Sequence, residues 1–505
     1  MYSAETALWC ALLAPFCIGF VCTALPGARI ALRVMCGCMF ATALAGCIAI
    51  QAVYKTGPVR LASGWLFLDP LSAFHYGVLL LVFCLSSVYA LLYFGQELRT
   101  GRMDRRQGRL FSGLWCFACA AMTLVLLSNN LGIMWVGIEA TTLVTAFLIC
   151  IQVSRQSVEA TWKYIIICSV GMAFAFTGTL LIGASAKGLQ LGSHDVLLWT
   201  VLRDSACGLE PRLIQAAFIF LLVGYGTKAG LAPMHSWLPD AHTQAPSPVS
   251  ALFSGFLLST AMYCIMRYIP LVEAATGTTG WSRRLMIGFG MFSILIAAVF
   301  IVSQKNLKRF LAYSSIEHIG IIALGLGLGG VGVFAALFHT LNHAVCKTLA
   351  FFAAGRLGQL FGTYELREIK GALHRSPVWG GGLFAAILAL IGVAPFSLFM
   401  SEFLILKAAM DSSLFLVSAL LLAGLGTVFI CALGYLLPLC WQQSPHGNPD
   451  RGVFITAEAF LVYIPLITLL ALGLWMPESL QSILREAAHI ISGTTTASAI
   501  AGIGP

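Results

Sequence analysis

Residues 224–246 read Gly224-Tyr-Gly-Thr-Lys-Ala-Gly-Leu-Ala-Pro-Met-His-Ser-Trp-Leu-Pro-Asp-Ala-His-Thr-Gln-Ala-Pro246. The stretch continues an apolar run, Leu213 to Val223, and so sets Lys228 at membrane depth. Five residues later Pro233 removes a backbone donor and breaks the helix. A charge in hydrocarbon is costly and normally faces a protein interior or a water-filled cavity on an ion or proton path. A broken helix at that depth persists only where protein packs it or where it lines such a cavity. Lysine and break together therefore mark a functional element.

Working outward, 59% of the 505 residues are hydrophobic, only 10% are charged, and mean hydropathy is +0.90. Soluble domains carry roughly 25% charged residues, so the chain reads as an all-α polytopic membrane protein. Its net charge of +9 lies in short loops between apolar runs, which argues against a nucleic-acid partner. The N-terminal Met-Tyr-Ser-Ala-Glu-Thr lacks a basic segment, so Leu8 to Ala24 reads as a first membrane helix and not a signal peptide. The sixteen cysteines sit mostly in apolar runs, Cys116 and Cys119 included, and read as small buried hydrophobes. No metal or iron–sulfur spacing and no phosphate-binding loop is found. The sequence therefore predicts no cofactor, no metal and no redox site of its own.

A span needs about 20 apolar residues. Fourteen are predicted, near 5–25, 31–52, 71–94, 110–128, 131–152, 161–184, 213–237, 246–269, 285–303, 310–328, 331–354, 378–409, 413–440 and 453–475. The longest connection, near 185–212, leaves no room for an extramembrane domain. Loops opposite the N-terminus hold seventeen of the 29 Lys and Arg, among them Arg99, Arg102, Arg105, Arg106, Arg109, Lys305, Lys308 and Arg309. The N-terminal side holds nine, and Lys228, Lys347 and Lys407 lie within spans. In a bacterial inner membrane this bias places both termini in the periplasm. The motif Gly230-Leu-Ala-Pro-Met234 returns as Gly392-Val-Ala-Pro-Phe396. The twelfth span, with Pro395 in its middle, is thus a second broken helix, with Glu402 just beyond it. Paired interruptions in two halves point to inverted repeats and a midplane site.

The remaining intramembrane titratable groups can be read as partners of Lys228. Glu139 lies in the middle of the fifth span; alone it would protonate, but beside Lys228 both could hold charge and tune each other. His339, His343 and Lys347 follow at intervals of four, on one helix face, as a proton relay requires. The lysine makes a poor metal ligand. His318 is a further relay candidate, and Glu317 beside it points about 100° away. Glu402 is taken as the terminal carrier. Lys407 is either its counter-charge or a residue that snorkels to the interface. His235, Asp240 and His242 either line the approach to Lys228 or cap helix ends; Lys163 is a further accessory candidate.

These residues carry a resemblance. Lys228 with P-M-H-S-W-L-P-D-A-H-T-Q-A-P-S-P-V-S-A-L, K-R-F-L-A-Y-S-S-I-E-H-I-G at 308–320 and H-T-L-N-H-A-V-C-K at 339–347 resemble the antiporter-like, proton-translocating subunits of respiratory complex I. Within that family the chain is most similar to the F-type hydrogenase-4 and M-type complex I members, over residues 65–440. The resemblance implies fourteen helices, two inverted five-helix repeats (110–269 and 285–440) between N-terminal helices (1–109) and a last helix with a tail (453–505), and broken seventh and twelfth helices. It also implies an ion pair of Glu139 with Lys228, a central relay of Lys347, His339 and His343, and Glu402 in the second half-channel. Its partners would be other membrane and peripheral subunits of a respiratory or hydrogenase complex. L-type members carry a long lateral helix after the last span; about thirty residues follow it here, as in an inner member of a membrane arm. M-type members carry a lysine in L-L-K-T-A-x-Y-G, where this chain reads Leu257-Leu-Ser-Thr-Ala-Met-Tyr-Cys264. Ser259 cannot hold a proton charge at neutral pH, so central storage shifts to Lys347 and the histidines. A multisubunit sodium/proton antiporter subunit and a structural membrane-arm anchor are the alternatives.

Overall fold

The computed structural model describes residues 2–189, 192, 194–278, 280–442 and 456–492. Helices α1 (Tyr2–Ala24) and α2 (Ala28–Thr56) lead into a small antiparallel ribbon, β1 (Val59–Leu61) and β2 (Leu66–Leu68). Then follow α3 (Pro70–Arg99), α4 (Arg105–Leu127), α5 (Leu131–Ile149), α6 (Arg155–Ser185) and the short α7 (Trp199–Asp204). The first interrupted segment comprises α8 (Pro211–Ala229) and α9 (Trp237–Gln244). Next, α10 (Ser247–Leu252) runs through a π-helical turn, Phe253–Leu257, into α11 (Leu258–Thr276). The second half holds α12 (Gly280–Ile301), α13 (Leu307–Leu328), α14 (Val331–Phe361) and the short α15 (Ala372–Arg375). It continues with α16 (Pro377–Leu390), α17 (Ser397–Asp411), α18 (Phe415–Trp441), α19 (Thr456–Leu474) and α20 (Glu478–Ser492).

Local chemistry sets the helix ends. Asp69 and Ser72, Asp104 and Gln107, and Ser154 and Ser157 form reciprocal capping boxes that satisfy the first free amides of α3, α4 and α6. Both predicted breaks are present and alike. Gly230 and Gly392 adopt positive φ (79° and 69°), and a cis Ala-Pro bond follows each, at Pro233 and Pro395. The glycines permit the left-handed turn that a side chain would resist.

Eleven helices among the described residues are long and apolar enough to cross a membrane. The three expected spans outside that set are the two interrupted segments, α8–α9 and α16–α17, and α14 with its stripe of His339, His343 and Lys347. The polar spans lie inside. The α10–α11 span and α13 have mean hydropathies of 1.7 and 1.4, and their most apolar stretches are 100% and 94% buried. By contrast α18, at 2.5, is 28% buried. Apolar side chains face the hydrocarbon and titratable ones the protein interior, as the expense of charge in lipid requires.

Three features depart from the sequence expectation. The 185–212 connection contains α7, the ribbon forms between α2 and α3, and the stretch after the last span folds into α20 against α3, α11 and α14. Short, locally weak elements like these are fixed by their neighbours. Residues 453–455 and 493–505 of the expected last segment lie outside the described residues.

Glycines set the helix spacing in both halves. A Cβ on Gly224 (α8) would sit 2.5 Å from the Ala175 amide nitrogen and 2.6 Å from the Gly171 carbonyl of α6. One on Gly290 (α12) would sit 2.6 Å from the Leu324 amide nitrogen of α13. Backbone contacts cannot yield as flexible side chains do. Gly224→Val should therefore destabilise the fold by about 1–3 kcal/mol, read as lower thermal stability of the detergent-solubilised protein. Gly188→Ala, where a Cβ meets nothing within 4 Å, should leave stability unchanged.

Candidate functional site

Lys228 closes α8 one residue before the break and is fully buried. Its ammonium donates to Thr142 Oγ1 at 2.9 Å and to the Tyr164 hydroxyl, and lies 4.7 Å from the centre of the Tyr164 ring. The proton directions are determined. Thr145 gives its hydroxyl hydrogen to the Thr141 carbonyl (2.6 Å), so the Tyr164 hydroxyl donates to Thr145 Oγ1 (2.6 Å) and accepts from Lys228. This cage suits a charged lysine.

Glu139 lies one turn before Thr142, yet it does not close the expected ion pair. Its Oε1 accepts from Ser169 at 3.4 Å, and its Oε2 has no protein partner. The hydroxyls of Thr142 and Tyr164 occupy the lysine instead. Glu139 on α5 thus stands one turn from the lysine's partner Thr142, without a direct ion pair to Lys228 on α8.

His242 (α9) extends the row inward. It is fully buried, its ring stacks on Phe351 at 5.2 Å and meets Phe253 edge-on at 5.9 Å, and neither ring nitrogen has a protein partner. Phe351 lies one turn beyond Lys347 on α14. The Lys347 ammonium donates to the Leu311 carbonyl at 2.8 Å. Ser315 donates to the same carbonyl at 2.9 Å and meets Ser254 of the π-helical turn at 2.7 Å.

The histidines gather beyond Lys347. His318 Nδ1 lies 3.0 Å from His339 Nε2, and His339 Nδ1 lies 2.8 Å from Ser401 Oγ. Ser401 donates to the Leu398 carbonyl at 2.9 Å. It therefore accepts from His339 Nδ1–H, which leaves His339 Nε2 to accept from His318 Nδ1–H. The His343 ring is 5.2 Å from that of His318, with both nitrogens unpartnered. Glu402 Oε1 lies 4.0 Å from His318 Nδ1. Glu402 also lines a cavity of about 260 Å³ with Gly392, Phe399, Phe403 and Phe429, at the second break. His318, His339 and Glu402 bring one donor atom each within 4.8 Å of one another, a spacing a metal ion could bridge.

Other expectations separate here. Asp240 joins Lys163 (3.0 Å) and Arg309 (2.7 Å) in a partly exposed cluster, and Glu159 also reaches Lys163 (2.8 Å), so Lys163 and Asp240 lie apart from the buried row. Lys407 is exposed and forms no ion pair with Glu402. His235 is half-buried beside Phe300 and Tyr313, with Nδ1 unpartnered. Ser259 is fully buried, and its hydroxyl has no protein partner. Thr142, Thr145, Tyr164 and Ser401 were not foreseen, because one hydroxyl in an apolar run gives no sign of its partner. Lys308 reads as a loop cation in the sequence but is buried, donating to the Thr243 and Ala245 carbonyls at the end of α9. Glu317 is buried with Oε2 unpartnered.

Comparison with known proteins identifies this architecture. Residues 128–430 match the family described as NADH:quinone oxidoreductase/Mrp antiporter, transmembrane. The chain is 38% identical over 393 residues to a hydrogenase-4 component F homolog of Methylacidiphilum infernorum, covering 75% of this chain and 81% of that one. It is 28% identical over 452 residues to NADH-quinone oxidoreductase subunit N of Desulforudis audaxviator, covering 84% and 87%. Its fold matches a chain of the membrane-bound sulfane sulfur reductase, an archaeal respiratory membrane complex, with a TM-score of 0.86 at 23% identity over 99% of both chains. With the interior row of lysine, histidine and glutamate and the two interrupted helices, these matches establish that the chain is a multi-pass membrane protein belonging to the NADH:quinone oxidoreductase/Mrp antiporter transmembrane family.

Proposed function

We propose that the chain is a proton-translocating membrane subunit of a multi-subunit oxidoreductase of the hydrogenase-4 or NADH–quinone type. It joins other membrane and peripheral subunits in a bacterial inner membrane, with both termini periplasmic. The observation that carries this reading is the buried row from Lys228 through His242, Lys347 and the His318–His339 pair to Glu402. Protein alone leaves several of its nitrogens and oxygens unsatisfied. Buried polar groups need partners, so these sites call for water or for a change of protonation. The similar breaks at Pro233 and Pro395 support two inverted repeats, over 110–269 and 285–440.

In this reading Glu139 and Lys228 form the switch. When the carboxylate approaches Lys228, the pair holds its charges together; when the two part, the lysine's proton can pass on. The proton passes by way of His242 to Lys347, then through the imidazoles to Glu402. The His318–His339–Ser401 chain has one direction of donation, and a proton crossing it reverses every bond. The chain does no redox chemistry. Moving a charge against the membrane potential costs about 2.3 kcal/mol per 100 mV, so the partner module supplies the drive. A second reading, a sodium/proton antiporter subunit, is favoured by the Mrp branch within the matched family.

Two measurements test these readings. In membrane vesicles holding the assembled complex, Lys228→Met and Glu139→Gln should each remove this subunit's share of the protons moved per electron; unchanged stoichiometry in both would overturn the relay. A sodium gradient that drives proton movement without electron donor would favour the antiporter. Ser259→Lys adds a titratable group beside the row and should alter protons moved per electron; an unchanged ratio would place Ser259 off the path.

A further inference from the structure

The buried row runs across the protein and leaves open where protons reach the N-terminal face. A second set of buried polar groups lies on that side. On α11, Ser259, Tyr263 and Arg267 follow at intervals of four and share one face over about 12 Å. Facing them, the start of α3 presents Asp69, Ser72 and His75 at intervals of three. The two columns meet at two points. Arg267 donates to both Asp69 oxygens at 2.6 Å each, and His75 packs against Tyr263 with ring centres 5.1 Å apart. Arg267 Nε donates to the Tyr263 hydroxyl at 2.9 Å, which donates to the Leu126 carbonyl at 3.0 Å.

His75 carries the chemistry. Its Nδ1 lies 2.9 Å from the Leu71 carbonyl. A carbonyl only accepts, so Nδ1 bears the hydrogen and Nε2 is a bare acceptor. The residue is fully buried, and no protein group satisfies Nε2. His75 thus presents a basic nitrogen to the interior that no protein group occupies. Below it, Asp69 lines a cavity of about 630 Å³ that also meets Arg60, Arg203 and His489. Arg60 belongs to the ribbon and His489 to α20, and the ribbon packs on the start of α1, so the cavity opens on the N-terminal face. The Asp69–Arg267 pair is 2–4% exposed and separates cavity from interior. A bidentate pair of this kind is costly to break while dry and is weakened by water.

We infer that His75 is the proton acceptor of an outlet from the buried row to the N-terminal face, and that the Asp69–Arg267 pair is its plug. This rests on the proton-translocation reading above. One proton arrives from the Ser259 side and bonds to His75 Nε2, giving the imidazolium. The same proton leaves to water from the cavity when the Asp69–Arg267 pair parts, which restores the neutral ring. Arg267 and Asp69 are positioning residues; His75 alone changes protonation.

The test uses the assembled complex in membrane vesicles and measures protons moved per electron. Lys228→Met defines this subunit's share. His75→Gln keeps size and hydrogen bonding but cannot carry a proton, and should lose that share. His75→Ala should lose it too and regain it when imidazole or its methylated analogues are added, in the order of their basicity. Thiazole, of the same shape but hardly basic, should not rescue. Retained translocation in His75→Gln, with loss in Lys228→Met, would overturn the outlet and leave the proposed function standing. Equal rescue by thiazole would show a packing role and also overturn it. Unchanged translocation in Lys228→Met as well would mean that the proposed function itself had failed.

Discussion

A cation held away from water governs this structure. The Lys228 ammonium needs acceptors, and hydrocarbon offers none. Thr142, Tyr164 and the Tyr164 ring supply them from α5 and α6, and so bind three helices around one nitrogen. Closing that cage requires α6 and α8 to approach until backbone meets backbone, which Gly171 and Gly224 permit. The break after Ala229 follows directly, since Gly230 turns the chain away while Lys228 stays inside.

The same constraint acts in the second half with different chemistry. There Lys347 donates to the Leu311 carbonyl, and two imidazoles bond to each other and to the Ser401 hydroxyl. His318, His339 and Ser401 form a chain whose direction is fixed at its far end by the Leu398 carbonyl. Glu402 stands beside it at the edge of a cavity.

Polar spans packed inside apolar ones give the molecule its cross-section. The α10–α11 span and α13 are shielded on every side, while α18 and α19 meet lipid. The unpartnered atoms of His242, His343 and Ser259 lie in the shielded layer. An unsatisfied polar atom in lipid would be far more costly than one that water can reach inside the protein.

By itself the sequence determined the fold class, both breaks and most of the titratable row. Hydropathy and proline act locally, and a charged residue in a twenty-residue apolar run stands out without knowledge of its neighbours. His339, His343 and Lys347 were legible because helical spacing alone puts them on one face. Tertiary structure decided which groups meet. It gave Lys228 to Thr142 and Tyr164 and not to Glu139, moved Lys163 and Asp240 to a partly exposed cluster, and buried Lys308, which reads as a loop cation. It also brought Asp69 to Arg267, 198 residues apart. The physical reason is range: cost of burial is written residue by residue, whereas the satisfaction of a buried group depends on which distant helix supplies the partner.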